Sequence, residues 1–182
     1  MKTTNFLASA ILTTFALGTG GAALADTKAE INSSVAATLG EFHDMNPSYK
    51  SLGNKSAGML VFPRVTKGGL GVAGEFGEGV LQVDGKTVGY YSIGAASLGL
   101  TAGLAKHSEI IMFMTKDSLA KFTKSEGWSI GADAGITVMK QGASGEYDSK
   151  TEQKPILGFV FAEKGLLGDL SLEGSKISKI KN

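Results

Sequence analysis

At Gly58 the spacing of the apolar residues changes, and that change limits the folds open to the chain. Before it, Ile31, Val35, Leu39 and Phe42 recur every three or four residues, with Lys28, Asn32, Ser33 and Glu41 elsewhere on the wheel. That is one apolar face of a helix. Thr27 and Glu30 have the spacing of a capping box, so the helix is expected over 27–42. Asn46-Pro47 supplies an N-cap and a first-turn proline for a shorter second helix carrying Tyr49 and Leu52, weakened at Gly53 and Asn54. Beyond Gly58 the period becomes that of strands.

The expected strands are short. Met59 to Phe62 is an apolar run ended by Pro63, and Gly69 to Phe76 is a glycine-spaced candidate. Val80–Val83 and Lys86–Ile93 flank Asp84-Gly85, a strong two-residue hairpin signal because both positions of a type I′ turn need positive φ. Ser97–Leu104 and Glu109–Met114 follow, the second apolar almost throughout and so expected to be buried on both faces. One helix interrupts the series: Thr115 caps Lys116 to Lys124, and Gly127 stops it. Trp128 to Ile136 alternates like a strand, Lys140 to Lys154 is polar and loop-like, and Ile156–Phe161 and Leu166–Ile180 close the chain. Twenty-six glycines against three prolines are too many for a helical bundle and lack the collagen period. They suit a strongly curved sheet with bulges and close backbone approaches. The expected class is α+β: an N-terminal helix or two, then a curved, mainly antiparallel, barrel-like sheet with one short inserted helix.

Residues 1–25 read as a signal peptide. Lys2 precedes an apolar run from Phe6 to Leu17, and Ala23-Leu24-Ala25 forms a small-x-small cleavage site before Asp26. The run is well short of the ~20 residues a spanning helix needs. In a Gram-negative bacterium the remainder, 26–182, belongs in the periplasm as a single domain. The chain has no cysteine, which excludes disulfides, thiolate metal sites and a lipoprotein anchor. Its 18 Lys+Arg stand against 17 Asp+Glu, and removal of Lys2 leaves 17 against 17. No global field therefore draws the protein to nucleic acid, and electrostatic attraction must come from a local patch.

Signals of chemistry are weak. Gly69-x-Gly71-x-x-Gly74 matches the dinucleotide fingerprint as a string, but no helix follows and no acid stands about 20 residues on. Ala95-Ala96-Ser97-Leu98-Gly99 lacks the first glycine of a nucleophile elbow. The two histidines, His43 on an expected helix and His107 in an expected hairpin turn, offer neither a catalytic base nor a metal site without scattered carboxylates. Glu75 and Glu78, three apart, fall on opposite faces of an unbulged strand. Glu163, Asp169 and Glu173 fit solvated turns and faces. No enzyme, cofactor or metal is expected. The basic residues suggest more: Arg64 and Lys67 would flank a turn after Pro63, and Lys176, Lys179 and Lys181 end the chain. Were the first and last strands of the β region neighbours, these five would form one patch, each charge worth roughly 1 kcal/mol near an anionic surface. Plain solubility is the bland explanation of the same residues. The apolar face of the 27–42 helix would add an interfacial device, with core packing as its alternative.

Several strings then become specific in their order. These are Val61-Phe62-Pro63-Arg64-Val65-Thr66-Lys67-Gly68-Gly69, Gly74-Glu75-Phe76-Gly77-Glu78-Gly79-Val80-Leu81, Gly89-Tyr90-Tyr91 and Met112-Phe113-Met114-Thr115. Gly127-Trp128, Gly158-Phe159-Val160-Phe161-x-Glu163-Lys164-Gly165-Leu166 and Ser171-Leu172-Glu173-Gly174-Ser175-Lys176-Ile177 complete the set. Together they resemble the SYLF-domain family over residues 58–180. The resemblance implies lipid binding, since eukaryotic members are associated with phosphoinositides and some fungal ones with actin filaments and endocytosis. It brings no catalytic residues. An N-terminal amphipathic segment and basic residues carry lipid binding in the family, which map here onto 27–42 with Lys28, and onto Arg64, Lys67, Lys176 and Lys179. The expected function is non-catalytic, peripheral binding to anionic phospholipid in the cell envelope. The alternatives are a periplasmic protein-interaction module whose partner is an envelope protein, an outer-membrane barrel, and an enzyme.

Overall fold

The computed structural model describes residues 26–70, 72–98, 104–133, 135–139, 153–162, 165–166, 172 and 174–181. The expected signal peptide, Glu163, Asp169, Glu173 and most of the expected loop at 140–154 lie outside them. Helix α1 (Lys28–Met45) starts where the capping box places it: Thr27 Oγ1 accepts from Glu30 N–H, and Glu30 Oε2 accepts from Thr27 N–H at 2.8 Å. Helix α2 (Pro47–Lys55) begins with Asn46 Oδ1 accepting from Ser48 N–H and runs on through Gly53. The strands are β1 (Gly58–Leu70), β2 (Val72–Val83), β3 (Lys86–Leu98) and β4 (Leu104–Phe113), followed by α3 (Lys116–Lys124). Then come β5 (Gly127–Ser129), β6 (Thr137–Val138), β7 (Ile156–Ala162), β8 (Gly165–Leu166) and β9 (Lys176–Lys179). They form one sheet in the order β5-β9-β3-β2-β1-β4-β7-β6, with β8 beside β7. Every pair is antiparallel except β6 with β7.

Both faces of the central strands are buried. Val61, Val80, Ile110, Met112, Leu157, Phe159 and Phe161 lie under Ile31, Val35 and Phe42 of α1 and Tyr49 and Leu52 of α2. On the opposite face Leu60, Phe62, Leu81, Ile93, Ile111 and Phe113 pack with Phe122 of α3 and Trp128 of β5. This second face is the inside of a curl. Five strand spacings separate β5 from β4, roughly 24 Å in a flat sheet, yet the Trp128 and Phe113 rings are 6.0 Å apart and Phe122 touches both. The expected curved α+β sheet is therefore present. No helix among the described residues is long and apolar enough to cross a membrane. A lipid-facing barrel wall would turn apolar side chains outward, whereas here α1 and α2 cover the outer apolar residues.

Several strand boundaries differ from the sequence expectation. Pro63 does not end the first strand: β1 runs through it, with register shifts between Val61 and Arg64 against β2 and between Phe62 and Val65 against β4. A bulge is where a proline, which has no N–H to give, can sit inside a sheet. Ser108 Oγ donates to the Pro63 carbonyl at 2.9 Å and ties the bulge to β4. Opposite it, a Cβ on Gly79 would collide with the Val61 carbonyl oxygen and the Phe62 ring, so the close approach requires glycine. The expected strand at 69–76 is instead the end of the β1–β2 hairpin, where Leu70 pairs with Val72. β3 extends to Leu98 and β4 begins at Leu104, and the expected strand at 97–104 lies for the most part outside the described residues. β5 stops at Ser129, because Gly131 (φ 94) turns the chain and Asp133 Oδ2 accepts from Ser129 N–H. The expected closing strand divides into β8 and β9, which pair with different partners. The Asp84-Gly85 hairpin forms as read, with φ of 50 and 71.

Candidate functional site

The basic residues singled out from the sequence do not form one patch. β3 and β2 lie between β9 and β1, so the neighbouring of first and last strands that the patch required is absent. Paired residues of antiparallel strands share a face, and the register divides the cations between faces. Arg64 stands in the row of Glu78, Ser92 and Ser178, and Lys176 pairs with Gly94, all on the α1 side. Lys67 pairs with Glu75 and Lys179 with Tyr91, on the α3 side. Arg64 and Lys67 are residues within β1, not the flanks of a turn. The apolar stripe of α1 is core: Ile31, Val35 and Phe42 are buried, and Phe42 stacks on Tyr49 with centroids 4.3 Å apart. It is not free to lie in an interface.

α1 leaves one end of its sheet face open. A single row crosses five strands there: Lys106 of β4, Thr66 of β1, Phe76 of β2, Gly94 of β3 and Lys176 of β9. Phe76 is 58% exposed, and with Val88 makes up the exposed large apolar residues among those described. Lys106 and Lys176, both exposed, stand two strands to either side, roughly 10 Å away by strand spacing. One row nearer the helix, Arg64 reaches Asp26 at 3.3 Å, both side chains half exposed. A surface cavity of about 330 Å³ adjoins it, lined by Lys28, Ile31, Glu78, Tyr90, Ile180 and Lys181 together with Asp26. The Lys28 ammonium lies 5.3 Å from the Tyr90 ring centroid, and Asn32 Nδ2 donates to the Tyr90 hydroxyl at 2.8 Å. An exposed aromatic thus stands between two cations, beside a largely apolar cavity that carries two lysines and two carboxylates.

Phe76 and Lys106 were not read as site residues. In sequence Phe76 is one more apolar position of a glycine-rich strand, and its exposure exists only because α1 stops short of that row. Lys106 fell in an expected turn around His107. That expectation is corrected: His107 is a buried β4 residue, 5% exposed, on the α3 side with Glu109. The fingerprint glycines 69–74 span a hairpin end with no helix after it, and Ala95 to Leu98 lie within β3.

Residues 94–182 match the family model described as Ysc84, Las17-binding protein actin regulator. The match spans the end of β3 through β9, and so includes Lys106, His107, Glu109, Lys176 and Lys179. The strings at 61–91 that resemble the same family lie outside it. No curated protein matches the chain significantly.

Proposed function

Because the chain belongs to the SYLF, or Ysc84, family through residues 94–182, a family associated with lipid binding and actin regulation, we propose that it binds an anionic membrane surface peripherally, through the open end of the α1 sheet face. The observation that carries this reading is the exposed Phe76 set between Lys106 and Lys176 in one row, with Arg64 behind it. Phe76 enters the headgroup boundary and gains up to about 1.5–3 kcal/mol of apolar burial. Lys106 and Lys176 add roughly 1 kcal/mol each toward anionic headgroups. Lys28 and Lys181 line the adjoining cavity together with Asp26 and Glu78, and an anionic headgroup at its mouth meets the two lysines. Lys67 and Lys179, on the opposite face, take no part. The protein acts in the periplasm after loss of residues 1–25, and its function is binding without catalysis.

Co-sedimentation with neutral and anionic vesicles across a salt series tests the reading. Binding is expected with anionic vesicles alone and declines as salt screens the charges. Phe76→Ser with Lys106→Glu should weaken it roughly 100-fold by the sum of those contributions. Lys67→Glu with Lys179→Glu should leave it unchanged. Equal weakening by both double variants defeats the assignment of the face. No binding by folded wild-type protein moves the function to a protein partner in the envelope.

A further inference from the structure

The α3 face of the sheet holds a polar cluster inside an otherwise apolar core, at the end of the strands beyond the Pro63 bulge. His107 and Glu109, two apart on β4, point to the same side, and Glu75 reaches them from β2 across the intervening β1. His107 Nε2 lies 2.9 Å from Glu109 Oε1 and 3.9 Å from Glu75 Oε1. Lys67 Nζ stands 3.9 Å from Glu75 Oε2 at the rim. The side chains of His107, Glu109 and Glu75 are 3%, 1% and 10% exposed, and Val65, fully buried, lies in the β1 row between them.

Two carboxylates therefore face one lysine and one imidazole in a nearly dry site. Glu109 Oε2 is buried with no hydrogen-bond partner among the described residues. A buried polar atom left unmade costs about 1–3 kcal/mol, more when charged, so its persistence in this place calls for an occupant. From these positions we infer that Glu75, His107 and Glu109 form a binding site for a divalent first-row transition ion. One ligand atom from each of the three lies within 4.8 Å of the others. Around one such ion, with tetrahedral bonds of about 2.0–2.2 Å, two ligands stand about 3.3–3.6 Å apart. Closing the widest separation therefore takes a shift of roughly 1–1.5 Å, which rotation of the two glutamate side chains supplies. Two carboxylates with one imidazole suit manganese, iron(II) or zinc better than magnesium, which prefers oxygen alone. In the bound form His107 presents Nε2 to the ion, Glu109 turns its unpartnered oxygen inward, and Lys67 moves from Glu75 toward solvent. Without a cation the proton competes for the same place. Burial, with the Glu75 carboxylate adding to it, holds the Glu109 carboxyl above the usual range, and the bond to His107 only partly offsets this.

Calorimetry and thermal melts of the chelator-treated full chain with zinc, manganese and magnesium chlorides provide the test. One equivalent of zinc or manganese should bind and raise Tm, more strongly at pH 8 than at pH 5, while magnesium does neither. Glu109→Gln keeps the side-chain volume and should lower affinity at least about 10-fold, the smallest loss seen when even an outer partner of a metal ligand is removed. Glu75→Gln, at the most exposed of the three side chains, should do the same and guards against a folding defect in the first variant. No binding by folded wild-type protein, or undiminished binding in both folded variants, overturns the site.

Discussion

The Pro63 bulge divides β1 into two lengths of opposite character. Leu60, Val61 and Phe62 are fully buried, on one side against α1 and α2 and on the other against the aromatic cluster of α3 and Trp128. Beyond the bulge, Arg64, Thr66 and Lys67 are only partly covered, and the neighbouring strands bring Phe76 and Lys106 to the surface on one side and the Glu75, His107 and Glu109 cluster to the other. The same strands thus supply a two-sided hydrophobic core at one end and charged or unpaired groups at the other. Groups that are costly to the folded state are tolerated at one end because the other end holds the sheet together. That division separates stability from binding, and substitutions can test the separation.

The largest effect is expected at the core end. Phe42→Ala removes a ring that stacks on Tyr49 and meets Phe159 edge-on at 4.8 Å, and should lower unfolding free energy in urea by about 3–5 kcal/mol. A loss below about 1 kcal/mol would show that α1 is not part of the core. Next comes a comparison of two glycines on one strand. Gly79→Ala drives a methyl into β1 at the bulge and should cost about 1–3 kcal/mol, while Gly74→Ala meets nothing within 4 Å and should stay within about 0.5 kcal/mol. Equal costs for the two would erase the distinction between the ends. The smallest effect belongs to the binding surface: Phe76→Ser with Lys106→Glu should leave stability within about 0.5 kcal/mol of wild type, even as vesicle binding falls. A large loss of stability in that variant would mean that the open row is structural.

The helices were legible because their signals are local. Thr27 and Glu30, Asn46 and Pro47, and Thr115 each satisfy backbone groups within one turn, and no distant residue is needed to find them. The Asp84-Gly85 turn was legible for the same reason. The strand ends were less so. Pro63 and the glycines around it read as breaks, yet β1 continues because the bulge absorbs the proline and Gly79 lets the strands close over it. Of the cations read as a site, Lys28, Arg64 and Lys176 gather on the α1 side, and Lys67 and Lys179 do not. Spacing along a strand gives a face only if the strand is unbulged, and it says nothing of which strands are neighbours.

By itself, the sequence determined the three helices with their caps, one hairpin and the two-sided burial of Ile110 to Phe113. Each follows from interactions within a few residues or from the local density of apolar side chains. The tertiary structure alone decided that α1 lies on the sheet, that its coverage ends before Phe76, and that His107 and Glu109 meet Glu75 across β1. Those outcomes depend on strand order and register, which are set by packing between residues far apart in the chain. A one-residue shift at a single bulge would exchange the faces on which they stand.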